Sequence, residues 1–179
     1  MRSLSILVLI ALSSIGIIAQ ESSSQRRNEI VASFNKEKYL AKEKYGVRVE
    51  KYKKVVSEPA IKQNLSEYSG IYRTEGLEHS INLQVAADGT VKANGSETTD
   101  GITRSFKLQG ARIAFGMLTA TKVYDDGSQQ KFEGVFLNRT DFISPKDPGV
   151  KMFGLGVVVS NPVEIQGVAL DKLFYQLKP

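Results

Sequence analysis

From Tyr68 to the C terminus the chain is a succession of short segments rich in β-branched and aromatic residues. Such segments favour β-strands, and turn-forming residues separate most of them. No helical periodicity lies between them, so the sequence predicts a mainly β fold, an antiparallel meander closed as a small barrel, with a β-sandwich as the alternative. The predicted strands are Tyr68–Arg73, Ser80–Val85, Thr90–Asn94, Thr103–Leu108, Ala111–Phe115, Leu118–Tyr124, Gln130–Leu137, Gly154–Val159 and Leu170–Leu177.

Glycine-containing dipeptides support the meander. Asp-Gly and Asn-Gly pairs adopt the positive φ angles of tight hairpin turns. The strongest hairpin prediction covers residues 120–139, around the turn Asp125-Asp126-Gly127-Ser128. Glycines within the strands favour a barrel, because curved sheets need bends and close approaches. The four turn dipeptides are Asp88-Gly89, Asn94-Gly95, Asp100-Gly101 and Asp126-Gly127.

The N-terminal segment has the pattern of a secretory signal peptide. Arg2 precedes an almost unbroken apolar run from Leu4 to Ile18, and Ala19 fits the small-residue cleavage rule. A retained membrane anchor is the alternative, but a transmembrane helix needs roughly 20 apolar residues. We therefore predict a signal peptide at residues 1–19, export to the periplasm or cell exterior, and no membrane-spanning segment after cleavage.

The absence of cysteine narrows the class of protein further. With no cysteine and one histidine, the chain cannot be a disulfide scaffold or hold a Cys/His zinc site. Exported eukaryotic domains of this size tend to use disulfides, so this composition favours a bacterial periplasmic or secreted protein. Three Asn-x-Ser/Thr sequons point weakly the other way.

Residues 20–66 form a basic arm ahead of an antiparallel β domain at 67–179. Residues 26–62 hold 11 Lys and Arg against 5 acids, whereas residues 63–179 hold 12 against 13. From Ser24 a narrow apolar stripe predicts a helix that ends at Gly46. Residues 47–56 fit either a strand or a helix. The stripe consists of Ile30, Phe34, Ala41 and Tyr45, with Val31 beside it.

Lysines surround this stripe and suggest a negatively charged partner. Outside the cytoplasm, a basic segment meets anionic lipid, anionic glycan or an acidic protein, and not nucleic acid. A solvated helix face is the plainer alternative. The candidate surface-binding residues are Lys36, Lys38, Lys42 and Lys44.

Signals of catalysis are weak. His79 is the one histidine, and no Gly-x-Ser-x-Gly motif marks a nucleophile. Glu75, Glu78 and Glu97 are the candidates for a carboxylate pair, with Asp125 and Asp126 in a turn. These residues are more simply explained as solvent-facing or turn residues, so we assign no catalytic residue, metal or cofactor.

A small eight-stranded barrel can leave room for one small ligand. We predict that five aromatic residues face inward and that Arg139 lies at the mouth; the alternative is that these aromatics only fill the core. The triplet Gly70-Ile71-Tyr72 resembles the Gly-x-aromatic start of lipocalin-type barrels, over three residues that assign no family. The candidate ligand-binding residues are Tyr72, Phe115, Tyr124, Phe136, Arg139 and Tyr175.

Three functions from different classes follow. The first is an exported, non-catalytic β-barrel that binds a small apolar or amphiphilic ligand. The second is an envelope-associated interaction or structural protein that uses its basic arm, residues 26–62, on an anionic surface or partner. The third, an enzyme of unrecognised type, has the least support.

Overall fold

The computed structural model of the protein describes residues 23–42, 48–142, 148–165 and 168–179. The predicted signal peptide lies outside these residues. A helix, α1, covers residues 23–33. The strands are β1 (Lys36–Lys42), β2 (Arg48–Pro59), β3 (Gly70–Thr74), β4 (Ser80–Val85), β5 (Val91–Thr99), β6 (Ile102–Ala114), β7 (Met117–Tyr124), β8 (Gln129–Asp141), β9 (Val150–Ile165) and β10 (Val168–Lys178), with a short 3-10 helix at Leu65–Tyr68.

Strands β3 to β10 form a closed antiparallel barrel of eight strands. Each strand pairs with the next along the chain. The barrel closes where β10 pairs with β3, from Tyr175 opposite Thr74 to Lys178 opposite Ile71. The predicted fold class is confirmed, and closure leaves the β-sandwich alternative unsupported.

Two of the predicted strands are one. Residues 103–108 and 111–114 belong to the single strand β6, whose pairing with β7 shifts register between Gln109 and Arg112. Gly110 has a φ of 60° inside this bulge. A bulge adds an unpaired residue and bends the strand without ending it, so its glycine resembles a turn in the sequence.

Turn chemistry explains one correct prediction and one wrong one. Asp100-Gly101 joins β5 to β6 with φ angles of 52° and 75°, as a tight hairpin requires. Asn94-Gly95 is not a turn but lies inside β5. A Cβ on Gly95 would lie 2.3 Å from the Ser80 carbonyl oxygen and 2.5 Å from Phe106 Cζ. Glycine is needed there for close packing, which the dipeptide alone does not distinguish from a turn.

One end of the barrel is closed by the 3-10 helix, and we call it the plugged end. The Tyr68 ring stacks on Phe136 at 4.0 Å between centroids, inside the barrel. Its hydroxyl donates to the Ala60 carbonyl and accepts from the Lys62 amide, each at 2.7 Å. The Tyr72 hydroxyl donates to the Tyr68 carbonyl at 2.7 Å. These bonds satisfy buried polar groups and fix the plug.

The predicted helix from Ser24 to Gly46 is too long. Helix α1 ends at residue 33, and Lys36–Lys42 pairs with β2 as a β-hairpin. Helix propensity is a weak preference that strand pairing overrides. Residues 48–56, which the sequence left open, lie in strand β2. Tyr45 and Gly46 are outside the described residues.

Helix α1 packs on the outer face of the barrel. Its residues Ile30 and Val31, with Phe34 just beyond, are buried against Met117, Val135 and Leu137. Arg26 binds Glu133 of β8 at 3.0 Å. Strand β2 extends this contact, because Val55–Pro59 pairs with Asp141–Leu137 of β8. Among the described residues, no helix has the length and apolarity to cross a membrane.

Candidate functional site

Charged residues lie inside the barrel at the end opposite the plug. In β7, Leu118 and Tyr124 belong to the interior core, and Lys122 has the same two-residue spacing. Lys122 therefore faces inward, where it meets Glu97 from β5. We call His79, Glu97, Lys122, Tyr124 and Tyr175 the interior polar cluster, and this end of the barrel the polar end.

Glu97 is the centre of the cluster. The Lys122 ammonium donates to its Oε2 and the Tyr124 hydroxyl donates to its Oε1. The ammonium also lies 4.3 Å from the Phe106 ring centroid and 5.0 Å from that of Tyr124. Cations are attracted to aromatic faces at such distances. The pair is thus held by a charge-assisted hydrogen bond and by two aromatic rings.

Arg104 covers the Tyr124 ring at the rim of the polar end. Its guanidinium carbon is 3.9 Å from the ring centroid. Its Nη2 donates to Asp126 Oδ2 at 2.5 Å and to Ser128 Oγ at 2.8 Å. The Arg104 side chain is 39% exposed, that of Glu97 is 16% exposed and that of Lys122 is 9% exposed. The cluster therefore reaches from solvent into the barrel.

The surroundings keep Glu97 ionised and the tyrosines neutral. Burial alone would raise the pKa of Glu97, but hydrogen bonds from Lys122 and Tyr124 and the Lys122 charge hold it below its usual value. Burial lowers the pKa of Lys122, and Glu97 opposes that shift. Burial, and then Glu97, raise the pKa of Tyr124 and Tyr175. The phenols are hydrogen-bond donors at neutral pH.

His79 borders this cluster in a neutral form. Its side chain is buried, and Nε2 lies 3.2 Å from the Thr98 carbonyl oxygen. A carbonyl only accepts, so Nε2 carries the proton and Nδ1 is an acceptor. Nδ1 is buried and has no hydrogen-bond partner among the residues that the structure describes. Burial lowers the pKa of His79, with the Thr98 bond opposing.

This lowered pKa predicts a pH-dependent stability. In the unfolded chain His79 binds a proton near pH 6.5, whereas the buried ring of the folded protein resists protonation. The contribution of His79 to the free energy of unfolding is therefore fully present above about pH 6.5 and is lost as the pH falls below that value. We expect the urea midpoint to fall between pH 7.5 and pH 5.5. In His79→Gln, whose amide can still donate to Thr98, the fall should be smaller. An equal fall in both proteins would contradict the role given to His79.

The structure separates the six predicted ligand-binding residues. Tyr72 and Phe136 pack at the plugged end, with ring centroids 6.0 Å apart. Tyr124 and Tyr175 lie at the polar end, where the Glu97 charge acts on both hydroxyls. The remaining two, Phe115 and Arg139, do not face the interior.

Phe115 and Arg139 were wrongly placed by the sequence. Phe115 is 46% exposed and forms the β6–β7 turn with Gly116. The φ angle of Phe115 is 52°. Arg139 lies on the outer face because it is three residues from the inward Phe136. It binds Asp141 with Nε–Oδ1 and Nη2–Oδ2 distances of 2.6 and 2.9 Å, near the Phe174 ring. It is a buried structural ion-pair residue.

The structure also separates the glutamates that were candidates for a catalytic carboxylate pair. Glu75 and Glu78 are exposed, whereas Glu97 faces the interior. Sequence reasoning missed Lys122 altogether, although its position in the inward alternation of β7 is a signal that could have found it. Lys36, Lys38 and Lys42 occupy alternate positions of β1. Lys44 lies outside the described residues.

Within the described ranges, no group of three or more His, Cys, Asp or Glu residues could hold a metal ion.

No protein-family model, curated protein or solved structure matches this chain. Function must therefore be inferred from the barrel itself.

Proposed function

We propose that this is an exported, non-catalytic β-barrel protein that binds one small amphiphilic ligand at the polar end. The ion pair of Glu97 and Lys122 inside the barrel is the observation that carries the proposal. Replacing such a pair with apolar side chains is often neutral or stabilising. An ion pair in a barrel interior therefore suggests a role other than stability, and groups with perturbed pKa values cluster at functional sites.

The two ends of the barrel differ in access. The Tyr68 ring and its hydrogen bonds obstruct the plugged end. At the polar end, the side chains of Glu97 and Arg104 retain solvent contact, so this is the end at which we propose that a ligand binds. An eight-stranded barrel has room for at most one small ligand.

The chemistry of this end suits an amphiphile. The Lys122 ammonium has N–H donors beyond the one that Glu97 accepts, and the Glu97 carboxylate and the Tyr124 hydroxyl oxygen supply acceptors for the polar group of a ligand. The rings of Phe106 and Tyr175 supply apolar surface beside them. His79 is poorly placed for proton transfer, because Nε2 is bound to Thr98 and Nδ1 is sealed from solvent. These features favour binding over catalysis.

Three fluorescent probes that differ only in the polar group test the proposal: 4-(1-pyrenyl)butanoate, 4-(1-pyrenyl)butanol and 4-(1-pyrenyl)butylamine. We expect at least one to bind saturably with 1:1 stoichiometry. Its affinity should fall at least about tenfold in Glu97→Leu/Lys122→Met, since a hydrogen bond to a charged group contributes ~1.5–3 kcal/mol.

The matched control is Lys62→Met/Glu67→Leu, which removes an exposed ion pair with an N–O distance of 3.4 Å at the plugged end. This variant should bind the probe as the unmodified protein does. Failure of all three probes to bind, or equal losses in both double variants, would contradict the proposal.

A further inference from the structure

The hairpin of β1 and the first part of β2 is a ribbon beside the barrel. The two strands pair in continuous register from Lys36 opposite Lys54 to Lys42 opposite Arg48. Pairing of β2 with the barrel strand β8 begins only at Val55. At about 3.3 Å per residue, the paired ribbon is roughly 20 Å long.

Charge is unevenly divided between the two faces of this ribbon. Alternate residues of a strand share a face, and residues directly opposite in an antiparallel pair share it too. One face has five cations and one acid; the other has Lys51 and Lys53 with Glu37. We call the first the basic face: Lys36, Lys38, Leu40, Lys42, Arg48, Glu50, Tyr52 and Lys54.

We infer that the basic face binds the headgroups of an anionic lipid surface. The five cations share one side of the paired strands, and anionic lipid headgroups supply the opposite charge. Tyr52 and Leu40 occupy positions among the cations, and tyrosine is a residue that favours the membrane–water interface. The rest of the chain does not add to this attraction, because residues 63–179 hold 12 cations against 13 acids.

The division between faces provides a charge-matched test. Lys36→Gln/Lys38→Gln and Lys51→Gln/Lys53→Gln each remove two positive charges, from the basic face and the opposite face respectively. Each basic residue close to an anionic membrane contributes about 1 kcal/mol, so two should change affinity on the order of 25-fold. At 0.15 M salt the Debye length is about 8 Å, which screens charges across the ribbon.

Co-sedimentation should use the mature chain and vesicles of phosphatidylcholine with 30% phosphatidylglycerol, at 0.15 M salt. We expect binding to these vesicles and none to pure phosphatidylcholine. The affinity for the anionic vesicles should fall about 25-fold in the basic-face variant and less than about threefold in the opposite-face variant. Pyrene-probe binding and the thermal unfolding midpoint should stay unchanged in both, which separates this inference from the proposed ligand site and from misfolding.

Equal losses in the two variants, or equal binding to neutral vesicles, would overturn the inference. Binding to heparin without binding to anionic vesicles would also overturn it, and would assign the basic face to a glycan instead.

Discussion

Lys122→Met is expected to lower the free energy of unfolding by about 3 kcal/mol. The change leaves the Glu97 carboxylate inside the barrel without its ammonium partner, and breaking one side of a buried pair typically costs ~3–5 kcal/mol. We place the value at the low end because the Glu97 side chain is 16% exposed and retains the Tyr124 hydrogen bond. Urea unfolding at pH 7, followed by circular dichroism, measures the difference.

The double variant Glu97→Leu/Lys122→Met should recover most of that loss. It removes both charges together and fills similar volume with apolar side chains, so its unfolding free energy should lie within ~1 kcal/mol of the unmodified protein, or above it. Its affinity for the pyrene probe should not recover. A double variant as unstable as the single one would indicate that the pair serves stability.

Phe34→Ala is expected to cost about 3 kcal/mol and to release helix α1 from the barrel. Phe34 is 3% exposed, and its ring packs so closely over Gly156 that a Cβ there would lie 2.8 Å from the ring. Truncating a buried phenylalanine typically costs ~3–5 kcal/mol, and a surface helix can relax around the cavity. Urea unfolding measures the loss, and faster hydrogen exchange of the amides at 23–33 would locate it.

Phe115→Ala is the matched control for this prediction. It makes the same truncation at a residue that is 46% exposed in the β6–β7 turn. We expect a cost below about 1 kcal/mol, because surface substitutions rarely have large effects. Equal costs at the two positions would contradict the packing described for Phe34.

Local signals predicted most of the barrel. Ser80–Val85 is a strand with the predicted bounds because its alternation of apolar and polar residues matches one buried face. Strand β6 was divided in two because a bulge glycine resembles a turn in the sequence. The arm differed more from its prediction, because the pairing of β1 with β2 depends on a partner strand and not on the periodicity of either segment.

The site was harder to predict than the fold. Glu97 and Lys122 are 25 residues apart, and only the order of strands in the barrel brings them together. Tyr124 and Tyr175 were predicted to face inward as apolar lining, but no local pattern shows that a charged pair lies near them in the barrel interior. Arg139 was misplaced because the predicted strand ended at Leu137, whereas β8 continues to Asp141 and its alternation from Phe136 puts Arg139 on the outer face.

Native mass spectrometry of the protein purified from its own host tests the ligand-binding proposal most directly. We expect a barrel that carries one small molecule, which denaturation releases, and a Glu97→Leu/Lys122→Met variant purified in the same way without it. A bare mass for the unmodified protein, or the same bound molecule in both proteins, would contradict a ligand site at the polar end.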